Sequence, residues 1–74
     1  MRTVHITALI EREADGYVAL CPELDIASQG DSVEEARAML QEAVELFLEC
    51  ASEEEIQRRM QSECYIVPIE CTIA

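Results

Sequence analysis

An α+β fold follows from three observations: two-residue alternation near the start of the chain, a long middle stretch of helical periodicity, and a return of alternation at the end. The predicted order is β-β-β-α-(α)-β, a two-layer sandwich in a single domain over residues 1–74. A right-handed crossover through the long helix brings the last strand parallel to the first, for an expected sheet order of 3-2-1-4. One sheet face packs on the helix and the other needs cover or must tolerate water.

The first strand is read from Thr3 to Glu11, where Val4, Ile6, Ala8 and Ile10 fall on one face and Thr3, His5, Thr7 and, less neatly, Leu9 on the other. Asp15-Gly16 marks a hairpin turn, with glycine expected to take the positive φ. Tyr17 to Cys21 forms the antiparallel second strand, ended by Pro22, which has no N–H for the ladder. Ile26 to Gln29 forms a short third strand beside it.

Ser32 and Glu35 form a capping box that opens the long helix, predicted to run to Ala51 on strong helix formers. Val33, Ala36, Leu40, Ala43, Val44, Phe47 and Ala51 make its apolar stripe. Met39, Leu46 and Cys50 widen the stripe on one flank and Leu48 on the other, giving an apolar arc of roughly 200° where ~100° suffices for a one-sided helix. Ser52 and Glu55 repeat the box for a short helix whose inner side is Ile56 and Met60. Tyr65, Val67, Ile69, Cys71 and Ile73 line one face of the closing strand, which Pro68 marks as an edge or a bulge.

The formal charge of −11, from 16 acidic and 5 basic residues, argues against a nucleic-acid surface and for fast capture of a basic partner. No apolar run reaches the ~20 residues of a membrane span. The start lacks a signal-peptide pattern, so a cytoplasmic location with reduced thiols is expected. Cys21, Cys50, Cys64 and Cys71 have no metal-binding spacing and read as buried free thiols. No cofactor and no metal are expected.

The pieces Gly16-Tyr17, Cys21-Pro22-Glu23-Leu24, Ser28-Gln29-Gly30-Asp31-Ser32, Glu34-Glu35-Ala36, Glu42-Ala43, Glu45-Leu46 and Leu48-Glu49 together resemble the HicB-like antitoxin family. The resemblance is close over residues 16–49 and implies a partial ribonuclease-H-like fold without demonstrated activity. It implies a non-enzymatic binding protein, a type II antitoxin that occludes a HicA-like toxin, itself a small basic mRNA-cleaving protein. Many members also carry a C-terminal DNA-binding segment. Here the sequence runs out after Ile73, so no direct nucleic-acid contact is expected. The alternative is a self-assembling HicB-like domain with no toxin partner.

Three candidate sites remain. A ribonuclease-H-type centre needs clustered carboxylates for two metal ions, yet His5 to Ala8 hold none, and Glu11 and Glu70 read as solvated. A thiol–imidazole pair of His5 with a cysteine lacks a third, orienting group. The acidic face of the long helix, with Glu34, Glu35, Glu42, Glu45 and Glu49, is either a solvated surface or a steering surface for a basic toxin. Met39 and Leu46 exceed what four strands cover, so a homodimer or higher homo-oligomer through them is expected.

Overall fold

The structure, a computed structural model, describes residues 3–61 and 63–74. Three strands, β1 (Leu9–Glu13), β2 (Gly16–Cys21) and β3 (Ile26–Gly30), precede two helices, α1 (Val33–Cys50) and α2 (Glu53–Gln61). The sheet is antiparallel throughout, in the order β1-β2-β3, so the α+β class stands.

The expected order 3-2-1-4 does not. Residues 63–74 join no ladder and are exposed along their whole length. Alternation in that segment encodes a chain able to pair, but it does not say what it pairs with. Pro68 removes one N–H from the run as well.

The first strand is also shorter than its alternation suggests. The pairing starts at Leu9↔Leu20. In that register Thr7 lies opposite Pro22, which cannot donate to a ladder, so a short β2 limits the paired length of β1. The alternation persists without pairing: Val4 and Ile6 are half-buried, while Thr3, His5 and Thr7 are exposed.

The β1–β2 turn comes one residue earlier than Asp15-Gly16 suggests, with Ala14 and Asp15 at its centre and Gly16 already in β2; the positive φ belongs to Ala14 at 53°, and neither glycine has one. Positive φ at the first central residue alone fits a II′-type hairpin. Gly16 serves clearance instead, because a Cβ there would come within 2.9 Å of the Gly30 carbonyl oxygen.

Ser32 caps α1 with extended backbone, its hydroxyl accepting from the Glu35 N–H at 3.0 Å. The glutamate reaches one residue further back than a capping box predicts, accepting from the Asp31 N–H at 2.7 Å. Ala51 ends the helix, its N–H donating to the Phe47 carbonyl at 2.8 Å. Ser52 caps α2 in the same way, accepting from the Glu55 N–H at 3.1 Å.

Ala19 and Cys21 on β2, Leu24 in the β2–β3 turn, and Ala36, Leu40 and Val44 on α1 form the buried core. Ile6, Ile10, Tyr17, Ile26, Phe47 and Leu48 flank it. The helix lies chiefly over β3 and β2, which leaves its flank above β1 open. The opposite sheet face carries the cross-strand row Leu9, Leu20 and Ala27 without a covering layer among the described residues.

Arg59 fastens α2 to the rest. Its guanidinium donates to the Leu24 carbonyl, stacks 4.7 Å from the centre of the Phe47 ring, and pairs with Glu55 at 3.4 Å. Ile56 is buried beneath the same helix, while Met60 is half solvent-facing.

Candidate functional site

Two places carry polar side chains whose arrangement needs explaining: the Cys21-Pro22-Glu23 break and the outer face of α1.

At the break the ladder has ended before Thr7, and the Glu23 carboxylate takes the place of a strand acceptor for the Thr7 N–H. Its carboxylate accepts from the Thr7 N–H at 3.1 Å, from the Thr7 hydroxyl at 2.7 Å and from the Cys21 thiol at 3.6 Å. Burial opposes ionisation of Glu23, but the Thr7 hydroxyl, its own backbone N–H, the Thr7 N–H and the Cys21 thiol outweigh it, and the carboxyl titrates below its usual range. Burial pushes the Cys21 thiol up, and the adjacent Glu23 carboxylate adds to this. A buried thiol with a raised pKa is a weak nucleophile. The break therefore holds the chain in shape.

The sign of the Glu23 shift gives a test. A carboxyl whose folded pKa is depressed stabilises the fold above its unfolded pKa and loses that contribution as pH falls through the folded value. Glu23→Gln is expected to cost about 1 kcal/mol at neutral pH, the scale of one net hydrogen bond. The difference from wild type should shrink steadily in urea melts as the pH drops through the acid range below the usual carboxylate value.

Several other motif positions make structural contacts. The Tyr17 ring lies 5.9 Å from the Arg12 guanidinium, Gly30 abuts the first turn of α1, and the Asp31 N–H serves the Glu35 carboxylate. Gln29 is exposed on the open sheet face, opposite Val18.

On α1, Glu34, Glu35, Glu42, Glu45 and Glu49 are all exposed, as are Met39 at 42% and Leu46 at 59%. Glu35 is engaged in capping, and Glu45 accepts from Gln41 at 3.5 Å. At about 100° per residue, Met39, Glu42, Leu46 and Glu49 recur at spacings of three and four, so they share one row of the helix surface. The sequence reading separated an acidic face from an apolar flank. The helix interleaves them, with Met39 and Leu46 bordering Glu42 and Glu49. Exposed apolar and acidic side chains thus lie side by side on this strip.

Among the described residues no group of three or more His, Cys, Asp or Glu side chains converges to hold a metal ion. His5 is exposed on the stretch before β1. The expectation of buried thiols needs correcting: all four cysteines are free, but Cys50, Cys64 and Cys71 are exposed and only Cys21 is buried. Helix flank and irregular terminal segment put them at the surface despite their apolar neighbours. No helix of the described residues is long and apolar enough to cross a membrane.

Sequence reasoning missed Arg59 and Thr7. Arg59 reads locally as a dipole complement at the end of α2, and only the packing of α2 across the β2–β3 turn exposes its other role. Thr7 pairs with Glu23 only because the hairpin register brings Pro22 opposite it.

Three antiparallel strands beneath one long helix, with acidic and apolar side chains on its outer strip, define a small α+β domain. The chain belongs to the UPF0150 family. It is 39% identical over 70 residues to a UPF0150 protein of Helicobacter pylori, covering 93% of this chain and 97% of that one. It is 43% identical over 60 residues to the UPF0150 protein ssl0738 of Synechocystis sp., covering 78% and 82%. A third relative, the UPF0150 protein ssr1765 of the same organism, is 51% identical over 45 residues. No family model and no solved structure matches the chain.

Proposed function

We propose that this protein is a HicB-like antitoxin that binds a small basic HicA-like ribonuclease and occludes it. The observation that carries the reading is the outer strip of α1, where exposed Glu42, Glu45 and Glu49 border exposed Met39 and Leu46. A net charge of −11 adds long-range attraction for a cationic partner. The glutamates steer the encounter and set its rate, while the two apolar side chains supply area that is desolvated on docking. The motif over residues 16–49 supports the HicB-like assignment. The succession of three antiparallel strands and a helix is in keeping with a partial ribonuclease-H-like relation. The inhibition needs no chemistry from this chain, because covering the toxin's RNA-binding surface is sufficient.

Glu42→Lys, Glu45→Lys and Glu49→Lys combined should slow association with a HicA-like basic ribonuclease by roughly 10–100-fold at low salt, and by much less at high salt. Stopped-flow association across a salt series reads this. Equal rates for wild type and variant would remove the steering role.

A second reading, a self-assembling domain without a toxin, is favoured by the exposure of Met39 and Leu46 themselves. It requires Met39→Glu with Leu46→Glu to abolish self-association in sedimentation and the triple lysine variant to leave it unchanged.

A further inference from the structure

The molecule holds two unfilled halves of one β-interaction, and neither uses Met39 or Leu46. The first half is an open strand edge. The two-residue loop makes Glu13 and Gly16 the closing hydrogen-bonded pair, so odd-numbered residues of β1 point their peptide groups at β2. Thr7 follows the same parity, because its N–H meets Glu23 on that side. Even-numbered residues, Ile6, Ala8 and Ile10, therefore present their N–H and C=O groups to the free edge, where no strand among the described residues pairs with them. Beside that edge runs a groove of about 550 Å³ between residues 3–8 and α1, with Ile6, Leu40, Val44 and Leu48 along it. It lies where the helix overhangs β1 without packing closely on it.

The second half is residues 64–74. Tyr65, Val67, Ile69 and Ile73 alternate along it and are 74%, 66%, 81% and 94% exposed. Left in water, such a row is a large apolar liability. The segment projects: the radius of gyration is 14.5 Å, against the ~11 Å expected of a compact chain of this length. Pro68 has the parity of Ile66 and Glu70, opposite to Tyr65, Val67 and Ile69. If the odd-numbered residues bond to a neighbouring edge, the missing N–H of Pro68 falls on the outer side, where an edge strand tolerates it.

We propose that the protein dimerises by reciprocal strand exchange: residues 64–74 of each protomer dock as an edge strand on residues 3–10 of a second copy, with Val67 and Ile69 entering the groove beside α1. The occupant is a second copy, because the matching segment on the same chain stands away from its own groove. Size agrees. The eleven residues of the segment and the twelve lining the groove on each protomer reach the roughly 20–30 residues a side of a stable interface. The exchange removes both exposed edges at once and covers the apolar row. In the dimer the Met39–Leu46 strip remains free for a further partner.

Two variants of the full chain test this. Ala8→Pro removes an outward N–H without touching the β1–β2 ladder. Val67→Asp with Ile69→Asp puts carboxylates where the apolar side chains dock. Wild type is expected to sediment as a dimer at micromolar concentration, and each variant alone as a monomer with its helical circular dichroism retained. An equimolar mixture should regain a heterodimer, identified by its mass in native mass spectrometry, because one intact groove meets one intact segment. Closure of the segment on its own chain gives no such rescue. A monomeric wild type, variants that remain dimeric, or a mixture that stays monomeric or unfolded overturns the proposal. So does loss of the wild-type dimer on Met39→Glu with Leu46→Glu, which would place the interface on α1.

Discussion

Gly30→Ala is expected to destabilise the protein by about 3 kcal/mol, combining overpacking of roughly 1–3 kcal/mol with a loosened helix cap worth about 1 kcal/mol. The reason is backbone against backbone. A Cβ on Gly30 would stand 2.5 Å from the Ala36 nitrogen and 2.8 Å from the Glu35 carbonyl carbon. Neither atom belongs to a flexible side chain, so relief requires the first turn of α1 to move. That turn is held by the Ala36 N–H on the Ser32 carbonyl at 2.9 Å and by the Ser32 hydroxyl on the Glu35 N–H at 3.0 Å. Moving it breaks the cap and lifts Ala36 from the core. At about 4–8 °C per kcal/mol for a domain of this size, the melting temperature should fall by more than ~10 °C. Gly16→Ala is the internal control: its Cβ meets one close atom, the Gly30 carbonyl oxygen at 2.9 Å, and should cost clearly less. Equal losses would mean that the close approach of β3 to the helix is not what Gly30 provides.

Leu24→Ala is expected to cost about 2–5 kcal/mol, the range for truncating a buried leucine. Total stability for a chain of this length is on the order of 4–11 kcal/mol, so the loss can exhaust it. Leu24 is 1% exposed and is the largest fully buried side chain. It lies in a turn and not in a regular element, yet it fills the space between β2 and α1. Its carbonyl also accepts from Arg59, so collapse of the turn around a cavity loosens α2 as well. The midpoint of urea unfolding measures this. Leu46→Ala, at a leucine 59% exposed, should fall within about 0.5 kcal/mol of wild type. A small effect at Leu24 would show that the turn relaxes to fill the gap and that the core is centred elsewhere.

Local chemistry explains which parts of the fold could be read from the sequence. The capping serines Ser32 and Ser52 act on backbone within three residues, and both helices start where they indicate. The hairpin was legible from Asp15-Gly16 to within one residue, but the residue with positive φ was not. Ala14 is held there by the turn geometry that the paired strands impose, against its own preference. The end of the chain was misread for a related reason. Alternation in Tyr65, Val67 and Ile69 encodes a strand, whereas the edge it joins is a tertiary decision that no local pattern carries. The same limit hid the Thr7–Glu23 and Arg59–Leu24 contacts, which join residues 16 and 35 positions apart. On the outer strip of α1, residue types and spacing were readable. Helix geometry added that glutamates and apolar residues share a row, which turns two separate surfaces into one mixed strip.

The measurement that tests the central claim most directly is RNA cleavage by a purified HicA-like basic ribonuclease, titrated with this protein. Occlusion predicts that cleavage falls linearly to background at a fixed stoichiometric ratio, and that Met39→Glu with Leu46→Glu abolishes the effect while the fold is retained. Cleavage that persists at a large excess of wild type, with no complex formed on mixing, would contradict it.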